Sequence, residues 1–415
     1  MRQFGFNQVF VFAVVLLLPI LAEGNDWPRW RGPTGNGIAA KGEKPPTQWS
    51  EQKNVVWKTK VPGRGHASPI IVGDKIFLAT AEEDKQSQSV VCFDKKNGQQ
   101  LWQTEVNQGA FPGKIFPKNT HASPTVATDG KRVFAVFNHH GGVEVTALDF
   151  DGKEVWQQTV GEYDPYYKFG FGASPIVYAG NVIVTNENKV QSAVVAYDAK
   201  SGQRKWSIPR EGISSYSTPV ISEVAGKMRL LLSGGKSVNS YDPANGKLQW
   251  SVPASWDVTC GTMVWDGDFV FASGGFPGGQ TLGIDAGSGK KIWDNRVKVY
   301  EQSLLAVDGY IYAHSDNSAV YCWRASDGQE MWKQRFKSPV SVSPVLAAGN
   351  IYFTAENGES LVVKADPEKL VEVARNKLGN SAFATPAFCD DRIYTRVGFG
   401  ERGSRQEWLY CLGKK

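Results

Sequence analysis

The chain has 415 residues, with 46 lysines and arginines against 41 aspartates and glutamates, which gives a formal net charge of +5. This length exceeds one ordinary hydrophobic core, and the small positive excess is spread without a basic block, so neither nucleic acid nor an anionic membrane is indicated as a main partner. The 44 glycines, 14 tryptophans and 14 tyrosines, without long apolar helical patterns, favour many short strands joined by tight turns.

The first residues have the pattern of a targeting segment. Arg2 supplies a basic start, Val9–Leu21 is an apolar run, and Ala22-Glu23-Gly24 places small residues where a signal peptidase cuts. We predict a signal peptide over residues 1–24 and an exported protein, periplasmic or extracellular after cleavage. A membrane anchor is the alternative, but the run is short for a bilayer and no cysteine follows it as a lipid acceptor. The mature chain is therefore predicted to have no membrane span.

A turn phrase recurs along the chain with a fixed internal spacing. Copies such as "YDAKSGQRKW" (197–206) and "YDPANGKLQW" (241–250) place a glycine four residues before a tryptophan and an aspartate eight before it. Aspartate can accept hydrogen bonds from turn amides and glycine adopts a positive φ, so each copy predicts a hairpin whose tryptophan covers the neighbouring unit. The tryptophans assigned to this structural repeat are Trp57, Trp102, Trp156, Trp206, Trp250, Trp293 and Trp332.

A second phrase alternates with the first and consists of a small residue, Ser or Thr, usually Pro, and apolar residues. Its eight copies include "ASPII" (67–71), "ASPTV" (122–126) and "STPVI" (217–221). Units of about 45 residues with four strands each are typical of propeller blades. The sequence thus predicts an all-β fold, an eight-bladed β-propeller of four-stranded antiparallel blades.

The strand count also predicts how the ring closes. The last blade has three strands of its own, whereas "VVWKTKV" (55–61) is an unused strand upstream. We predict that this N-terminal strand completes the last blade, with residues 25–54 as an N-terminal extension and 55–412 as the propeller. Residues 366–378 should supply the outer turn and strand of the seventh blade, which lacks the tryptophan.

A set of variable positions lies two residues before the Ser or Thr of each inner strand. Pseudo-eightfold symmetry places these positions in one ring near the channel mouth. The functional interpretation is a ligand-binding pocket that uses His66, His121, Tyr216 and Glu301. The alternative is that these side chains only plug the channel and hydrogen-bond one another, since a fold alone never guarantees a site.

Two long aromatic connections, residues 107–120 and 161–171, reach the same face of the ring as the variable positions. Aromatic side chains are favoured anchors for partners. We predict a recognition rim formed by Phe111, Phe116, Tyr166, Tyr167 and Phe276. The alternative is that these rings pack under Trp27 and Trp30 of the N-terminal extension.

No catalytic or metal motif stands out. The adjacent His139 and His140 would point in opposite directions, so a solvated loop is favoured over a metal site. The nucleophile-elbow, HExxH and P-loop patterns are absent, and Ser68, Ser123 and Ser174 belong to the repeated framework. We predict no metal ligands and no catalytic residues.

The five cysteines are odd in number and far apart, so no disulfide scaffold is indicated.

The pattern A-x-D-x-x-[TS]-G-x-x-x-W, best matched by Ala196 to Trp206, resembles the repeat of pyrroloquinoline-quinone (PQQ)-type propellers. That superfamily includes quinoprotein dehydrogenases and BamB-like outer-membrane assembly factors, and the resemblance covers roughly residues 50–412. The segment "DWPRWRGPTGNG" (26–37) resembles the start of exported BamB-like proteins.

The resemblance implies two functions. The leading one is an exported, non-catalytic binding or scaffold module for protein or another cell-envelope macromolecule. The alternative is a quinoprotein-like oxidoreductase that binds PQQ with calcium at the channel mouth. Quinoprotein dehydrogenases stack their cofactor against a vicinal disulfide and carry long insertions, whereas this sequence has no Cys-Cys pair and nearly minimal blades. PQQ with calcium is therefore the less favoured cofactor, and the binding module is preferred.

Overall fold

A computed structural model describes residues 25–113, 115–212, 214–400 and 404–414. The predicted signal peptide, residues 1–24, lies outside the described residues. Within these ranges the chain folds into strands joined by turns and loops, and no helix long and apolar enough for a membrane crossing is found among them.

The first four blades follow one another along the chain. Blade 1 comprises β2 (Ile70–Val72), β3 (Lys75–Glu82), β4 (Ser87–Asp94) and β5 (Gln100–Gln108). Blade 2 comprises β6 (Ala127–Thr128), β7 (Arg132–His139), β8 (Gly142–Asp149) and β9 (Glu154–Glu162). Blade 3 comprises β10 (Ile176–Tyr178), β11 (Asn181–Asn186), β12 (Ala193–Asp198) and β13 (Arg204–Pro209). Blade 4 comprises β14 (Val220–Val224), β15 (Lys227–Gly234), β16 (Ser237–Tyr241) and β17 (Leu248–Pro253).

The second four blades continue the same order, except that the last one borrows a strand. Blade 5 comprises β18 (Val264–Asp266), β19 (Phe269–Gly274), β20 (Gln280–Asp285) and β21 (Lys290–Asn295). Blade 6 comprises β22 (Leu305–Val307), β23 (Tyr310–Ser315), β24 (Ala319–Arg324) and β25 (Glu330–Arg335). Blade 7 comprises β26 (Val345–Ala347), β27 (Asn350–Thr354), β28 (Glu359–Lys364) and β29 (Glu372–Lys377). Blade 8 comprises β30 (Ala387–Cys389), β31 (Arg392–Phe399), β32 (Gln406–Leu412) and β1 (Val55–Val61).

The eight four-stranded antiparallel sheets confirm the predicted propeller. The two middle strands of each blade are almost wholly buried, as in β3 and β4, because both faces of a blade are covered by its neighbours. Seven hydrophobic clusters accordingly lie between blades, and one of them joins blades 7, 8 and 1. This last cluster also contains Trp27 and Trp49 of the N-terminal extension.

The ring closes as the sequence predicts. Strand β1 pairs antiparallel with β32, which brings Trp57 opposite Cys411 and Thr59 opposite Leu409. Within blade 8, Arg396 and Glu407 form a buried ion pair. The Arg396 guanidinium also donates to the carbonyl oxygen of Ala79 in blade 1 over 2.7 Å. The two ends of the propeller are thus joined both by strand pairing and by a buried polar network.

The repeated turn joins six of the blades to the blade before them. In the typical case, Trp156 of blade 2 donates its indole N–H to the Ala199 carbonyl in the turn of blade 3 over 3.1 Å. The turn glycine, Gly202, has a φ of 71° and lies against the indole, where a Cβ would come within 2.8 Å of the ring. Glycine is therefore required both for the backbone conformation and for the close approach. Equivalent indole bonds of 2.7 to 3.1 Å are made by Trp57, Trp102, Trp250, Trp293 and Trp332.

The N-terminal extension crosses one end of the central channel. Trp27 exchanges two backbone hydrogen bonds of 2.9 Å with Ile71 of blade 1, and Ala39 donates to Leu346 of blade 7 over 2.9 Å. Between these contacts, the buried Arg31 donates to the carbonyl oxygen of Leu304 in blade 6 over 2.8 Å. Because these partners lie on inner strands or directly beside them, the extension closes the channel from below.

Candidate functional site

The inner strands are held in register by hydroxyl groups of the second repeated phrase. The backbone N–H of Ser68 donates to the Thr125 hydroxyl of the next blade over 2.9 Å, and the backbone N–H of Thr125 in turn donates to the Ser174 hydroxyl over 2.9 Å. The same link of 2.9 to 3.2 Å recurs for Ser174–Thr218, Thr262–Ser303, Ser303–Ser343 and Ser343–Thr385. These hydroxyls accept structural hydrogen bonds between blades, so Ser174 belongs to the framework as predicted, whereas in blade 2 Thr125 holds the position predicted for Ser123.

A cavity of about 580 Å³ occupies the channel above this hydroxyl ring. Trp30 of the N-terminal extension forms part of its lining and donates its indole N–H to the Thr262 hydroxyl over 2.9 Å. The cavity is therefore blind at the end that the extension covers. Its volume falls in the range of about 300–1,000 Å³ that is typical of small-molecule sites. The aromatic side chains that line it are Trp30, Phe116, Phe169, Tyr216, Phe276, Tyr300 and Phe383.

Three of the four predicted pocket residues, His66, Tyr216 and Glu301, line this cavity. His121 does not, and its ring instead packs at a tilt against Phe111, in the loop that enters blade 2, with centroids 4.2 Å apart. In blade 2 the framework hydroxyl is Thr125, so the ring position two residues earlier belongs to Ser123, which does line the cavity. The predicted placement of His121 in the ring was wrong, because the inner strand of blade 2 is shifted by two residues relative to the alignment of the repeated phrase.

His66 and Tyr216 are held in neutral forms. The His66 ring stacks on Phe383 with centroids 4.3 Å apart. Burial, and next the positive charges of Arg64 and Arg405, hold the pKa of His66 well below its ordinary value. Tyr216 is 5% exposed and donates its hydroxyl to the Tyr167 carbonyl over 3.2 Å, and burial raises its pKa above the usual range. At neutral pH these two groups offer hydrogen bonds and ring surfaces rather than charge.

Glu301 belongs to the most polar part of the cavity. Its carboxylate accepts a short hydrogen bond from the Ser341 hydroxyl, which also lies 2.8 Å from a carboxylate oxygen of Glu356. The Lys118 ammonium, from the loop between blades 1 and 2, lies 2.8 Å from Glu356 and 3.4 Å from Glu301. Burial disfavours the charged ammonium, but the two carboxylates more than offset this effect and raise the pKa of Lys118.

The path of Lys118 is a notable feature of this site, because blade 2 lies opposite blade 6 in an eight-bladed ring. The loop that carries it is tied to the neighbouring loop by the Phe116 N–H, which donates to the Lys168 carbonyl over 2.9 Å. Asn119 adds a side-chain bond of 2.7 Å to the Phe169 carbonyl. From these anchors Lys118 reaches across the mouth to blades 6 and 7.

A second ion pair lies beside the first. The Lys298 ammonium is 3.5 Å from the Asp316 carboxylate and 5.1 Å from the centre of the Tyr300 ring. All three side chains line the cavity. Across the lining, the two ammonium groups of Lys118 and Lys298 thus face three carboxylates, those of Glu301, Glu356 and Asp316.

The predicted rim is divided by the structure. Phe116 and Phe276 line the cavity, and Tyr167 packs edge-on against Phe276 with centroids 4.9 Å apart. Tyr166 contacts Tyr167 at 5.0 Å and is 68% exposed, while Phe116 is 42% exposed. Phe111 lies away from them and packs against the core between blades 1 and 2.

The alternative was that the rim packs under Trp27 and Trp30, and the structure places Trp30 in the same cavity lining as Phe116 and Phe276. Phe169, which lies beside the predicted rim in sequence, connects the cluster by contacts with Phe116, Tyr167 and Phe276 at 5.4 to 5.8 Å. Trp27 instead packs on Phe388 of blade 8 at 6.1 Å. The aromatic cluster of Phe116, Tyr166, Tyr167, Phe169 and Phe276 is called the aromatic rim below.

Sequence reasoning missed Lys118, Glu356, Asp316 and Lys298. A signal for the two acids exists, since Asp316 and Glu356 follow the second strand of adjacent blades, β23 and β27, and so emerge on the same face. No local sequence pattern identifies Lys118, because it meets Glu301 and Glu356 only through the path that its long loop takes across the cavity mouth.

Metal-binding chemistry has little support in this part of the molecule. Across residues 25–113, 115–212, 214–400 and 404–414, no group of three or more His, Cys, Asp or Glu side chains is arranged to hold a metal ion. The solvated loop predicted for these histidines is wrong for His139, which ends β7 and is buried, and its ring meets that of His140 edge-on at 4.1 Å. His139 also lies 3.4 Å from the Glu144 carboxylate. The five cysteines are free.

Calcium also fits the carboxylates of the cavity poorly. The oxygens of Glu301 and Glu356 are the acidic ligands that calcium would need, and both contact the ammonium of Lys118. Calcium takes about six to eight oxygen ligands, and among the described residues no third carboxylate is arranged with these two to hold a metal ion. The residues present therefore do not fit a calcium-assisted PQQ site of the predicted kind.

Comparison with known proteins gives the family. The family model described as outer membrane protein assembly factor BamB matches residues 37–110, 86–334 and 277–373. The outer membrane protein assembly factor BamB of Burkholderia pseudomallei (strain K96243) is 27% identical over 314 residues, which are 69% of this chain and 72% of that protein.

Solved structures share the fold. BamB from Moraxella catarrhalis superimposes with a TM-score of 0.62 at 14% identity, covering 86% of this chain and 96% of that one. A europium-containing methanol dehydrogenase gives a TM-score of 0.70 at 14% identity, covering 95% of this chain and 99% of that one. At such identities the two structures establish a common fold and leave activity open. Since the BamB family model spans most of the chain, this chain belongs to the BamB family of PQQ-like β-propellers.

Proposed function

We propose that this protein is an exported propeller that acts as a non-catalytic binding or scaffold module for a protein or another cell-envelope macromolecule. Membership of the BamB family supports the proposal, because the relatives are described as assembly factors for outer membrane proteins. The export itself rests on the apolar N-terminal segment, residues 1–24. Amino-terminal sequencing of the mature protein should start after Ala22 or Gly24, and an uncleaved chain would contradict export by this signal.

The observation that carries the proposal is the exposed aromatic rim at the cavity mouth. Tyr166 and Phe116 expose 68% and 42% of their surface while they remain packed on the ring cluster behind them. Large rings that are held in place lose little conformational freedom on binding, and contiguous exposed apolar surface marks interaction sites. The rim is therefore the surface on which we place the partner.

A double substitution tests this surface. Tyr166→Ser with Phe116→Ser should reduce capture of envelope proteins by the tagged mature protein by at least about tenfold, since each anchor contributes at least about 1 kcal/mol. The matched control is Leu101→Ser with Leu248→Ser, which removes apolar side chains that are 44% and 51% exposed on outer strands. Captured proteins are identified by mass spectrometry and their binding repeated with purified components. Equal capture by the rim variant and the wild type would contradict the proposal.

The quinoprotein-like oxidoreductase is the second candidate. It is favoured by the cavity on the propeller axis and by the fold shared with the methanol dehydrogenase. The small number of carboxylates that the described residues bring together counts against it, because calcium takes about six to eight oxygen ligands. Incubation with PQQ and calcium should leave tryptophan fluorescence unchanged and reduce no dye with alcohols or sugars. Saturable quenching together with dye reduction would favour the oxidoreductase over the binding module.

A further inference from the structure

Two carboxylates from neighbouring blades converge on one hydroxyl in the cavity. Glu301 of blade 6 and Glu356 of blade 7 both lie within hydrogen-bond distance of the Ser341 oxygen. A hydroxyl carries one proton and can donate to only one of them at a time. Two like charges that share a site repel each other, so the pair needs a further cationic donor.

In this structure the donor is an ammonium from the other side of the mouth. Lys118 contacts Glu356 at 2.8 Å, but its distances to the two oxygens of Glu301 are 3.4 and 3.5 Å. The side chains of Lys118, Glu301 and Glu356 are 39%, 28% and 17% exposed, so water reaches this ion pair. Ion pairs as exposed as this one contribute about 0–1 kcal/mol, which makes Lys118 a replaceable occupant.

The cavity beside the two carboxylates favours a ligand with the same chemistry as the Lys118 side chain, a cationic group on an aliphatic chain. The cavity of about 580 Å³ is lined by aromatic rings, among them Tyr300 and Phe116. Ring faces attract organic cations, and they provide apolar surface for an aliphatic chain. Among the ionisable groups of the lining, carboxylates outnumber ammonium groups, so a cation is favoured over a polyanion such as PQQ.

We propose that the cavity binds an organic cation, an ammonium or guanidinium group on a slender aliphatic arm, at Glu301, Glu356 and Ser341, and that Lys118 occupies this site until the ligand displaces it. The inference rests on the proposed function, because it names the chemical group that a partner inserts behind the aromatic rim. The same group occurs on lysine and arginine side chains of a protein and on free alkylamines or alkylguanidines.

Titration calorimetry of the mature protein with defined probes tests the inference. The probes are n-butylguanidinium, its neutral isostere n-butylurea, and the capped peptides Ala-Arg-Ala and Ala-citrulline-Ala. The Lys118→Met variant should bind both guanidinium probes with a Kd about two- to fivefold below that of the wild type, because the competing ammonium is gone. Lys168→Met is the matched control, since it removes an exposed lysine from the adjacent loop. Adding Glu301→Gln and Glu356→Gln to Lys118→Met should remove the binding.

The outcomes separate support from refutation. The inference fails if Lys118→Met gains no affinity, if the neutral isosteres bind as well as the cations, or if Lys168→Met gains as much. Preferential binding of PQQ by Lys118→Met also overturns it. A peptide that binds at least tenfold more tightly than butylguanidinium assigns the cation to a protein partner, and equal affinities assign it to a free small cation. Lys118→Gln repeats the measurement should Lys118→Met unfold.

The proposed function and this inference can fail independently. If the rim substitutions abolish partner capture while Glu301→Gln with Glu356→Gln leaves it intact, the macromolecular role stands and the cation site falls. If the rim substitutions have no effect but guanidinium binds Lys118→Met with the expected selectivity, the cation site stands without the proposed partner surface.

Discussion

Most blades have an outer joint, where the repeated turn meets the tryptophan of the preceding blade, and each has one residue at the cavity mouth. The residues of the outer joints are nearly the same from blade to blade, whereas those at the mouth differ. At the outer joints, six indole N–H groups donate to backbone carbonyls of the next blade over 2.7 to 3.1 Å. At the mouth, the ring positions are His66, Ser123, Gly172, Tyr216, Cys260, Glu301, Ser341 and Phe383. A backbone carbonyl is present whatever the sequence, so one joint can be repeated. The side chains at the mouth are not needed to join the blades, so they can differ and can bind a ligand.

The difference implies that substitutions in the framework lower stability, whereas those at the mouth change binding. One joint offers an internal comparison, because it lacks the indole hydrogen bond: the Trp206 indole nitrogen is buried without a hydrogen-bond partner among the described residues. In that joint the turn glycine, Gly246, lies closest to Ile208 instead of the indole. The four experiments below separate the two regions in order of expected effect.

Removal of residues 25–61 should have the largest effect. The deletion takes away β1, which pairs along β32, and the extension that packs Trp27 and Trp49 into the core of blades 7, 8 and 1. We expect the midpoint of thermal unfolding to fall by about 10 °C or more. Removal of residues 25–54 alone is the control, since it keeps the closing strand and should cost less. A 25–61 deletion that melts like the intact chain would refute closure by β1.

His314 should give the framework a pH dependence. It is fully buried beside Phe336 in blade 6, and burial lowers its pKa from 6.5 to about 4. As the pH falls below 6.5, the unfolded chain binds a proton that the folded chain binds only near pH 4. The stability contributed by the neutral ring is therefore complete above pH 6.5 and declines by about 3 kcal/mol as the pH approaches 4.

The variant His314→Gln isolates this contribution. Denaturant unfolding between pH 7 and 4 should show a smaller loss of stability for the variant than for the wild type, with the difference growing below pH 6.5. Parallel curves for the two proteins would show that His314 does not titrate as its burial implies.

Two matched substitutions compare a complete joint with an incomplete one. Trp156→Phe removes the indole bond to Ala199, whereas Trp206→Phe removes an indole N–H that is buried without a partner among the described residues. Trp156→Phe should cost about 1 kcal/mol more in free energy of unfolding, because it loses a hydrogen bond and leaves a carbonyl unsatisfied. Chemical denaturation of both variants measures this difference. Equal losses would mean that the indole bonds add nothing beyond packing.

Glu301→Gln should have the smallest effect on stability. Its carboxylate is partly exposed and contacts Lys118 at 3.4 Å, so we expect a change within about 0.5 kcal/mol. The thermal midpoint of the variant checks this directly. A loss of several kcal/mol would place Glu301 in the framework and remove the contrast between the two regions.

The residues that repeat were the ones that could be interpreted from the sequence. The spacing of glycine and tryptophan predicted the outer joints, and an unpaired strand at residues 55–61 predicted the closure with β32. The seventh blade was also predicted, since β29 lies within residues 366–378. Of the residues predicted for the pocket, His66, Tyr216 and Glu301 line one cavity and His121 does not, and ligand binding by them stays a prediction.

The error at His121 has a physical origin. Side chains alternate between the two faces of a strand, so a slide by two residues keeps every side chain on its own face. Within 122–126 Ser123 fits the framework pattern of a small residue, Ser and Pro, but contacts with neighbouring blades select Thr125. The sequence could not reveal this choice, because it depends on which hydroxyl accepts a hydrogen bond from the backbone of the preceding blade.

The sequence by itself determined the number of blades, the outer joints and the closing strand, because each follows from a local period or from a strand left without a partner. Only the tertiary structure decided that Trp30 lines the cavity closed from below and that Lys118 reaches Glu301 and Glu356. Both residues lie on irregular segments, and the end point of such a segment is set by the surfaces it meets. Those surfaces exist only once the ring has closed.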